Sequence, residues 1–590
     1  MALARAFCVL APWLAVLPLH GALAVLAQAA LFVAAAHGAG QVTAALAGRE
    51  RPHPLLAFQL GLATLIAVAG VAIALGIATV AMQLSIACSF AGVHSAILVA
   101  RWHEVPAERS RAWLAPAVLL GALAIVHVLG AAGDVGARPF DDDGHVLGQL
   151  QRLRDTGGLG DGTGYARASQ LGGQLALTAL ATVPGDVHLA RVLEALAFTG
   201  AIGLAIARIR PRDAASALWA VMVVVGASAL AFAPLDLAAC WTIVGLVLTL
   251  HALLDDAQPH PGLVALVAGA LMTLRIELAP LALAAIARTW WPLRREPRAA
   301  WAIVLGVLVA AVPLMLARHG AAPSDEIRRL IGTAGGRSLG RIAVFAALAV
   351  PAGAFVAFAF RRSAQRWLAI GAALTLLAIT TGALGERAYA MRLLWPLGIA
   401  AGLALAIQLS RAVTLTVAAM LASVVLLVLV YEGREATGRT RWTRRSLELA
   451  QSIEYVRHTG TATPVAGGYA VLLAKVPRGA TVAIWVARPE RLDYRAHRFV
   501  DLRTPRAARL RIHRFDAHTS RMAALVAATG AQYLLLEEDL RGALRIRESW
   551  HQRFVCSAWS PACADDLETL VLDHRVVATD RGVRLVELRR

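Results

Sequence analysis

The sequence predicts an α-helical polytopic membrane protein that carries a C-terminal extracytoplasmic α/β domain. Three observations predict it. Apolar runs near the ~20 residues a helix needs to cross a bilayer recur from the N-terminus to residue 431. Of 590 residues, 58% are hydrophobic and 16% charged, and the mean hydropathy is +0.63; a soluble chain carries about a quarter charged residues. Beyond residue 433 the apolar runs shorten to strand length. The short alternating segments of a transmembrane β-barrel are absent.

The elements follow from charge as much as from hydropathy. The net charge is +19, yet much of it sits in short loops between apolar runs, where the positive-inside rule expects it. Three such loops read as cytoplasmic: Arg208, Arg210 and Arg212; Arg288, Arg294, Arg295 and Arg298; and Arg361, Arg362 and Arg366. No basic stripe with interleaved aromatics accompanies them, which argues against a nucleic-acid partner.

The first run, from Phe7 to Ala36, is too long for a cleaved signal peptide. Pro18 and Gly21 leave open whether it is one segment or two. Residues 1–112 form an N-terminal transmembrane extension, and Trp113–Ala132 then runs outward. Val187–Ala207 runs inward to the first Arg-rich loop, so residues 134–186 form an outer loop. Ala215–Ala233 and Ala238–Leu253 make a tight pair. The next run, "PGLVALVAGALMTLRIELAPLALAAIARTWW", has Arg275 and Glu277 near its middle and cytoplasmic flanks on both sides. A single crossing breaks that parity, so the expectation is two short helices in a hairpin with its tip near Thr273–Glu277. A spacing of two residues does not bring side chains together on a regular helix, so Arg275 and Glu277 are expected to line a cavity rather than to pair with each other. Trp301–Leu316, Ile342–Phe360, Trp367–Thr381, Leu393–Ile407 and Val413–Val430 complete residues 113–432, about 13 to 15 membrane segments in all.

Residues 433–590 then lie outside the cytoplasm. "TVAIWV", "QYLLLE" and "VRLVEL" read as strands, with helical stretches between them. Cys556 and Cys563, in "CSAWSPAC", are a disulfide candidate in that compartment.

The outer loop opens with "GARPFDDDGHVLGQLQRLRDTGG", which places Asp141, Asp142 and Asp143 directly after an apolar helix. Val146, Leu147, Leu150 and Leu153 share one face of an amphipathic helix expected to rest on the membrane surface. A carboxylate there can remove a proton from an acceptor hydroxyl. An arginine at the hairpin tip can hold a phosphate leaving group by charge-assisted hydrogen bonds. Three adjacent aspartates also serve as a solvated helix-start cluster. His145 beside them leaves a divalent metal site open.

The ordered set of motifs resembles the GT-C membrane glycosyltransferases that use polyprenyl-phosphate sugars, the protein-mannosyltransferase and aminoarabinose-transferase type. The resemblance rests on the outer-loop stretch above, on "LMTLRIELAPLAL", on "GERAYAMRLLWPLGIAAGLAL" and on "VPRGATVAIWV" followed by "RLDYRAHRFVDL". It covers about residues 113–540. "SQLGGQLAL" stands where many members carry a Pro-rich element, and residues 1–112 are additional to the common core. The resemblance implies a catalytic base among Asp142 and Asp143, with Asp141 making the register ambiguous. It implies donor-phosphate contacts from Arg275 and Arg387, with Glu277, Tyr389 and His145 in support. It also implies a polyprenyl-phosphate sugar donor and a glycan, lipid or protein acceptor at the outer face of a bacterial inner membrane. Two other classes remain: a secondary transporter or lipid flippase with Arg275 and Glu277 along its path, and a non-catalytic envelope scaffold. No internal repeat of the kind transporters show is visible.

Overall fold

The computed structural model describes residues 6–49, 52–101, 111–137, 141–159, 172–231, 240–256, 259–318, 366–381, 393–410, 450–454, 468–501, 529–537 and 570–588, apart from 7 and 487, together with 354, 359 and 526. Side chains are not described for 134–145. The described chain is mostly helical and ends in a small sheet. Six of its helices are long and apolar enough to cross a membrane.

A 3-10 turn at Ala11–Val16 precedes α1, Gly21–Leu46, so the first apolar run is split at Pro18 and Gly21. There follow α2 (Pro54–Ala74), α3 (Val80–Ala100), α4 (Leu114–Ala137), α5 (Asp141–Thr156), α6 (Gly173–Ala181), α7 (Val192–Ile209) and α8 (Ala214–Ala231). Then come α9 (Cys240–Leu254), α10 (Pro261–Leu274), α11 (Ala279–Leu293), α12 (Pro297–Arg318), α13 (Arg366–Thr381) and α14 (Leu394–Leu409). The starts obey local rules. Pro54 and Pro261 open α2 and α10, where a missing N–H costs nothing. The imidazoles of His53 and His260 accept from Leu55 and Leu263 N–H just inside. Asp213 accepts from the Ser216 backbone N–H and hydroxyl at the start of α8, and these bonds hold its carboxyl below the ordinary range.

Small residues set the packing. A Cβ on Gly61 would lie 1.6 Å from the Ala36 carbonyl oxygen, and one on Gly40 would lie 1.7 Å from that of Ala57, so α1 and α2 cross backbone to backbone and antiparallel. α2 runs through the middle of the bundle, against α1, α6, α7, α10 and α12. α3, α4 and α12 turn most of their apolar surface outward, with Val118, Ile125, Leu305 and Leu308 exposed.

The two ends of the bundle differ. At one, Arg49 at the end of α1 pairs with Asp256 at 2.7 Å, and Arg208 at the end of α7 pairs with Asp255. This end also carries the starts of α10 and α12, with exposed Trp290, Trp291 and Trp301. The Arg294 guanidinium stands 4.9 Å from the Trp291 ring centroid. At the opposite end, Ala78 in the α2–α3 turn donates to the Gly157 carbonyl after α5 at 3.1 Å. Here too Gly173 of α6 abuts Thr273 of α10, and Gly172 abuts Leu314 of α12.

The expected hairpin is present. Gly262 lies against Ala302, and Gly269 against Val307 and Ala310. α10 and α12 therefore run parallel, which requires α11 between them to return.

The C-terminal sheet has strands β1 (Thr481–Trp485), β2 (Arg498–Asp501), β3 (Tyr533–Glu537), β4 (Arg575–Asp580) and β5 (Val583–Glu587), in the order β2-β1-β3-β5-β4. β1 pairs parallel with β2 and β3, while β5 pairs antiparallel with β3 and β4. The β4–β5 turn uses Arg581 and Gly582, both at positive φ, which matches the twist of a tight hairpin. The sheet domain docks on α5. The Pro489 ring fills the space over Gly148, the Tyr494 N–H donates to the Asp155 carboxylate at 3.3 Å, and Arg495 pairs with Asp155 at 3.5 Å. Val146, Leu147, Leu150 and Leu153 are buried as a result. The apolar face of α5 is thus covered by protein, between α6 and the turn at Pro489–Arg491, rather than resting on a membrane surface.

Candidate functional site

The end opposite the Arg-rich one carries Arg275, Glu277 and the helix start at Asp141–Asp143. The helix of α10 stops at Leu274, where Arg275 is extended at φ −152° and ψ 120°. A single 3-10 turn, Ile276–Leu278, leads into α11, whose first turn contains Pro280. The break buries both charged side chains, with 2% of Arg275 and 1% of Glu277 exposed. It also brings them together, Arg275 Nε to Glu277 Oε2 at 3.7 Å. The expectation that two-residue spacing keeps them apart is corrected here, because that spacing rule holds only along an unbroken helix. Neither Glu277 oxygen accepts a hydrogen bond. Thr273, two residues earlier, donates to the Ala270 carbonyl at 2.6 Å and supports Gly173 of α6.

α4 runs to this same end, since His127 stacks edge-on against Phe198 and Leu120 sits beside Gly203 on the antiparallel α7. α5 then begins with Asp141, Asp142 and Asp143 as its first helical residues. Carboxylates in a first helical turn are stabilised by the helix dipole. The side chains of these aspartates and of His145 are not described. Arg387, Tyr389, Cys556 and Cys563 lie outside the described residues. Among the described residues no group of three or more His, Cys, Asp or Glu side chains is arranged to hold a metal ion.

The structure adds residues that the sequence reading passed over. Glu194, in the first turn of α7, is 1% exposed. Its carboxylate accepts from the Trp241 N–H at 2.6 Å, the Thr242 hydroxyl at 2.6 Å, the Thr242 N–H at 3.4 Å and the Gln174 amide at 3.1 Å. It thereby closes the N-terminus of α9 and ties α7 and α9 to α6, the helix that leans on Thr273. The signal was an acid in "VLEALAF", an ionisable residue inside an apolar run. Arg154 of α5 is buried and donates to the Gly185 carbonyl at 2.6 Å. Burial lowers its pKa, against the opposing pull of Asp186 and Asp155. In the sheet domain Tyr469 donates to Glu537 at 2.5 Å, and burial, with the Glu537 charge beside it, raises the phenol's pKa.

This end therefore gathers the buried Arg275–Glu277 pair, a helix that begins with three aspartates, and the C-terminal sheet docked on that helix. No protein-family model matches the chain, and neither does any curated protein or any solved structure.

Proposed function

We propose that the chain is a membrane glycosyltransferase of the GT-C type, moving a sugar from a polyprenyl-phosphate donor to an envelope glycan, lipid or protein acceptor. One observation carries this reading. The broken hairpin with buried Arg275, the start of α5 at Asp141–Asp143, and the docked C-terminal sheet all share the end opposite the Arg-rich one. The positive-inside rule assigns the Arg-rich end to the cytoplasm, and hence this end to the periplasmic or outer face of a bacterial inner membrane. The 14 residues of α10 span ~21 Å, less than the ~30 Å hydrocarbon core. Arg275 then sits just within the bilayer, where the phosphate of a lipid-tailed donor arrives laterally.

In this mechanism Arg275, with Arg387, binds the donor phosphate and stabilises its charge as it leaves. Asp142 or Asp143 takes the proton of the acceptor hydroxyl, which attacks the anomeric carbon from the face opposite the phosphate. One displacement inverts the anomeric configuration. The sheet domain, held to α5 by Asp155 and Gly148, presents the acceptor.

A second reading keeps the same residues. Interrupted helices with buried charge also line the paths of transporters and lipid flippases, and the Arg275–Glu277 break is such a feature. One experiment separates the two. Envelope glycans and glycolipids are compared by mass spectrometry in a deletion strain restored with the native chain, Asp142→Asn or Asp143→Asn, with membrane levels of each protein checked. Loss of one sugar that the native chain restores and one Asn variant does not supports the transferase. Full restoration by both variants rejects it in favour of transport or a scaffold role.

A further inference from the structure

We propose that Glu277 is a built-in occupant of the anion site at Arg275, one that a phosphate-bearing ligand must displace. This rests on the reading of Arg275 as the phosphate site. A charge-assisted N–H···O bond is about 2.7–2.9 Å long, whereas Arg275 Nε and Glu277 Oε2 stand 3.7 Å apart. A buried ion pair repays its desolvation only with close geometry and further hydrogen bonds on its remaining lone pairs. Glu277 is 1% exposed, and neither of its oxygens accepts a hydrogen bond. The pair is therefore a weak incumbent in an expensive place. The local backbone enforces it: an extended residue followed by one 3-10 turn carries both side chains to the same side of the break. Nothing in "TLRIELAP" needs a carboxylate to end one helix or begin the next, because the Leu278 N–H is taken by the Arg275 carbonyl and Pro280 opens α11.

A lipid-linked phosphate, whether the sugar-bearing diester or the monoester left after transfer, presents at least two non-bridging oxygens to a guanidinium and matches its planar fork better than the single distant oxygen of Glu277. When it enters, the displaced carboxylate faces the group attached to that phosphate. A hydroxyl-bearing group there supplies the hydrogen bonds that Glu277 lacks at rest. Glu277 thus keeps a carboxylate beside Arg275 until a ligand displaces it, and sets a threshold that weaker anions fail to cross.

The test is equilibrium binding to the purified full chain in detergent, with farnesyl phosphate as the probe and inorganic phosphate and farnesol as comparison arms. Glu277→Gln should bind farnesyl phosphate at least tenfold more tightly than the native chain, with Glu277→Asp in between and Arg275→Gln losing the binding. Tightening seen with farnesyl phosphate alone identifies a lipid phosphate; equal tightening with inorganic phosphate identifies a free one. The Asp variant keeps the charge at the break, so it answers the question if the Gln variant fails to fold. Native affinity or weaker in both Glu277 variants, with binding still lost in Arg275→Gln, overturns this inference and leaves the role of Arg275 intact. Native affinity in Arg275→Gln overturns both.

Discussion

The two ends of the helix bundle treat charge in opposite ways. At the Arg-rich end the paired side chains of Arg49, Asp256, Arg208 and Asp255 keep between 23% and 37% of their surface in contact with solvent. At the other end Arg275 and Glu277 keep 2% and 1%, and Glu194 is equally buried. Exposed pairs contribute ~0–1 kcal/mol and cost little to hold. Buried ones cost several kcal/mol of desolvation per ion unless hydrogen bonds replace the lost water. The Arg-rich end uses charge to tie helix ends together where water is available. The opposite end accepts a broken helix and an under-bonded carboxylate, and such departures from good packing persist where a site requires them.

The largest test of this contrast is Arg275→Ala. It leaves Glu277 buried without its cationic partner, which should cost about 3–5 kcal/mol, read as a lower unfolding temperature in detergent micelles. Replacing both residues with methionine should recover most of that loss, since no buried charge remains. A single variant as stable as the native chain would mean that water reaches the break, and the distinction between the ends would disappear. Glu194→Ala comes next. It strips an acceptor from the Trp241 and Thr242 N–H groups and the Gln174 amide, at about 2–3 kcal/mol. Glu194→Gln keeps one acceptor oxygen and should fall between alanine and the native chain. Because Trp241 packs edge-on against Phe198 at 4.7 Å between ring centroids, near-ultraviolet circular dichroism should report the loosening of α9 from α7.

Much of this was legible in the sequence, and what was not has physical reasons. The hairpin followed from parity: basic flanks on both sides of one apolar run admit only an even number of passes. The starts and ends of α4, α7, α9 and α13 fell within a few residues of the apolar runs. The Arg275–Glu277 contact was misjudged although the hairpin tip was expected there, because the spacing rule for an unbroken helix was applied to residues that an extended Arg275 and one 3-10 turn bring together. Glu194 hid in plain view, since one acid among apolar residues barely moves the mean hydropathy of its run. β2 and β4 were missed for a related reason. "RFVD" is four residues with charges at both ends, and "RVVATD" is an edge strand with little burial, so neither shows the apolar run that marked β1, β3 and β5. Long-range packing was beyond reach altogether. Nothing local announces that Pro489 will sit on Gly148, or that α2 will run through the middle of the bundle.

The smallest expected effect completes the contrast. Arg49→Ala and Arg208→Ala should each cost under ~1 kcal/mol, and that small loss should shrink further in about 0.5 M salt, where mobile ions already screen exposed charge over a few ångströms. The cost of Arg275→Ala should not respond to the same salt, because ions do not enter a site from which water is excluded. Thermal unfolding of the three variants at low and high salt therefore sorts the two ends by solvation rather than by strength. Equal salt sensitivity would show that the hairpin tip is wet, and a wet guanidinium holds a phosphate far less firmly than a dry one. Salt sensitivity confined to Arg49 and Arg208 would show that Arg275 lies in a low-dielectric site, where a fixed positive charge acts most strongly on an anion.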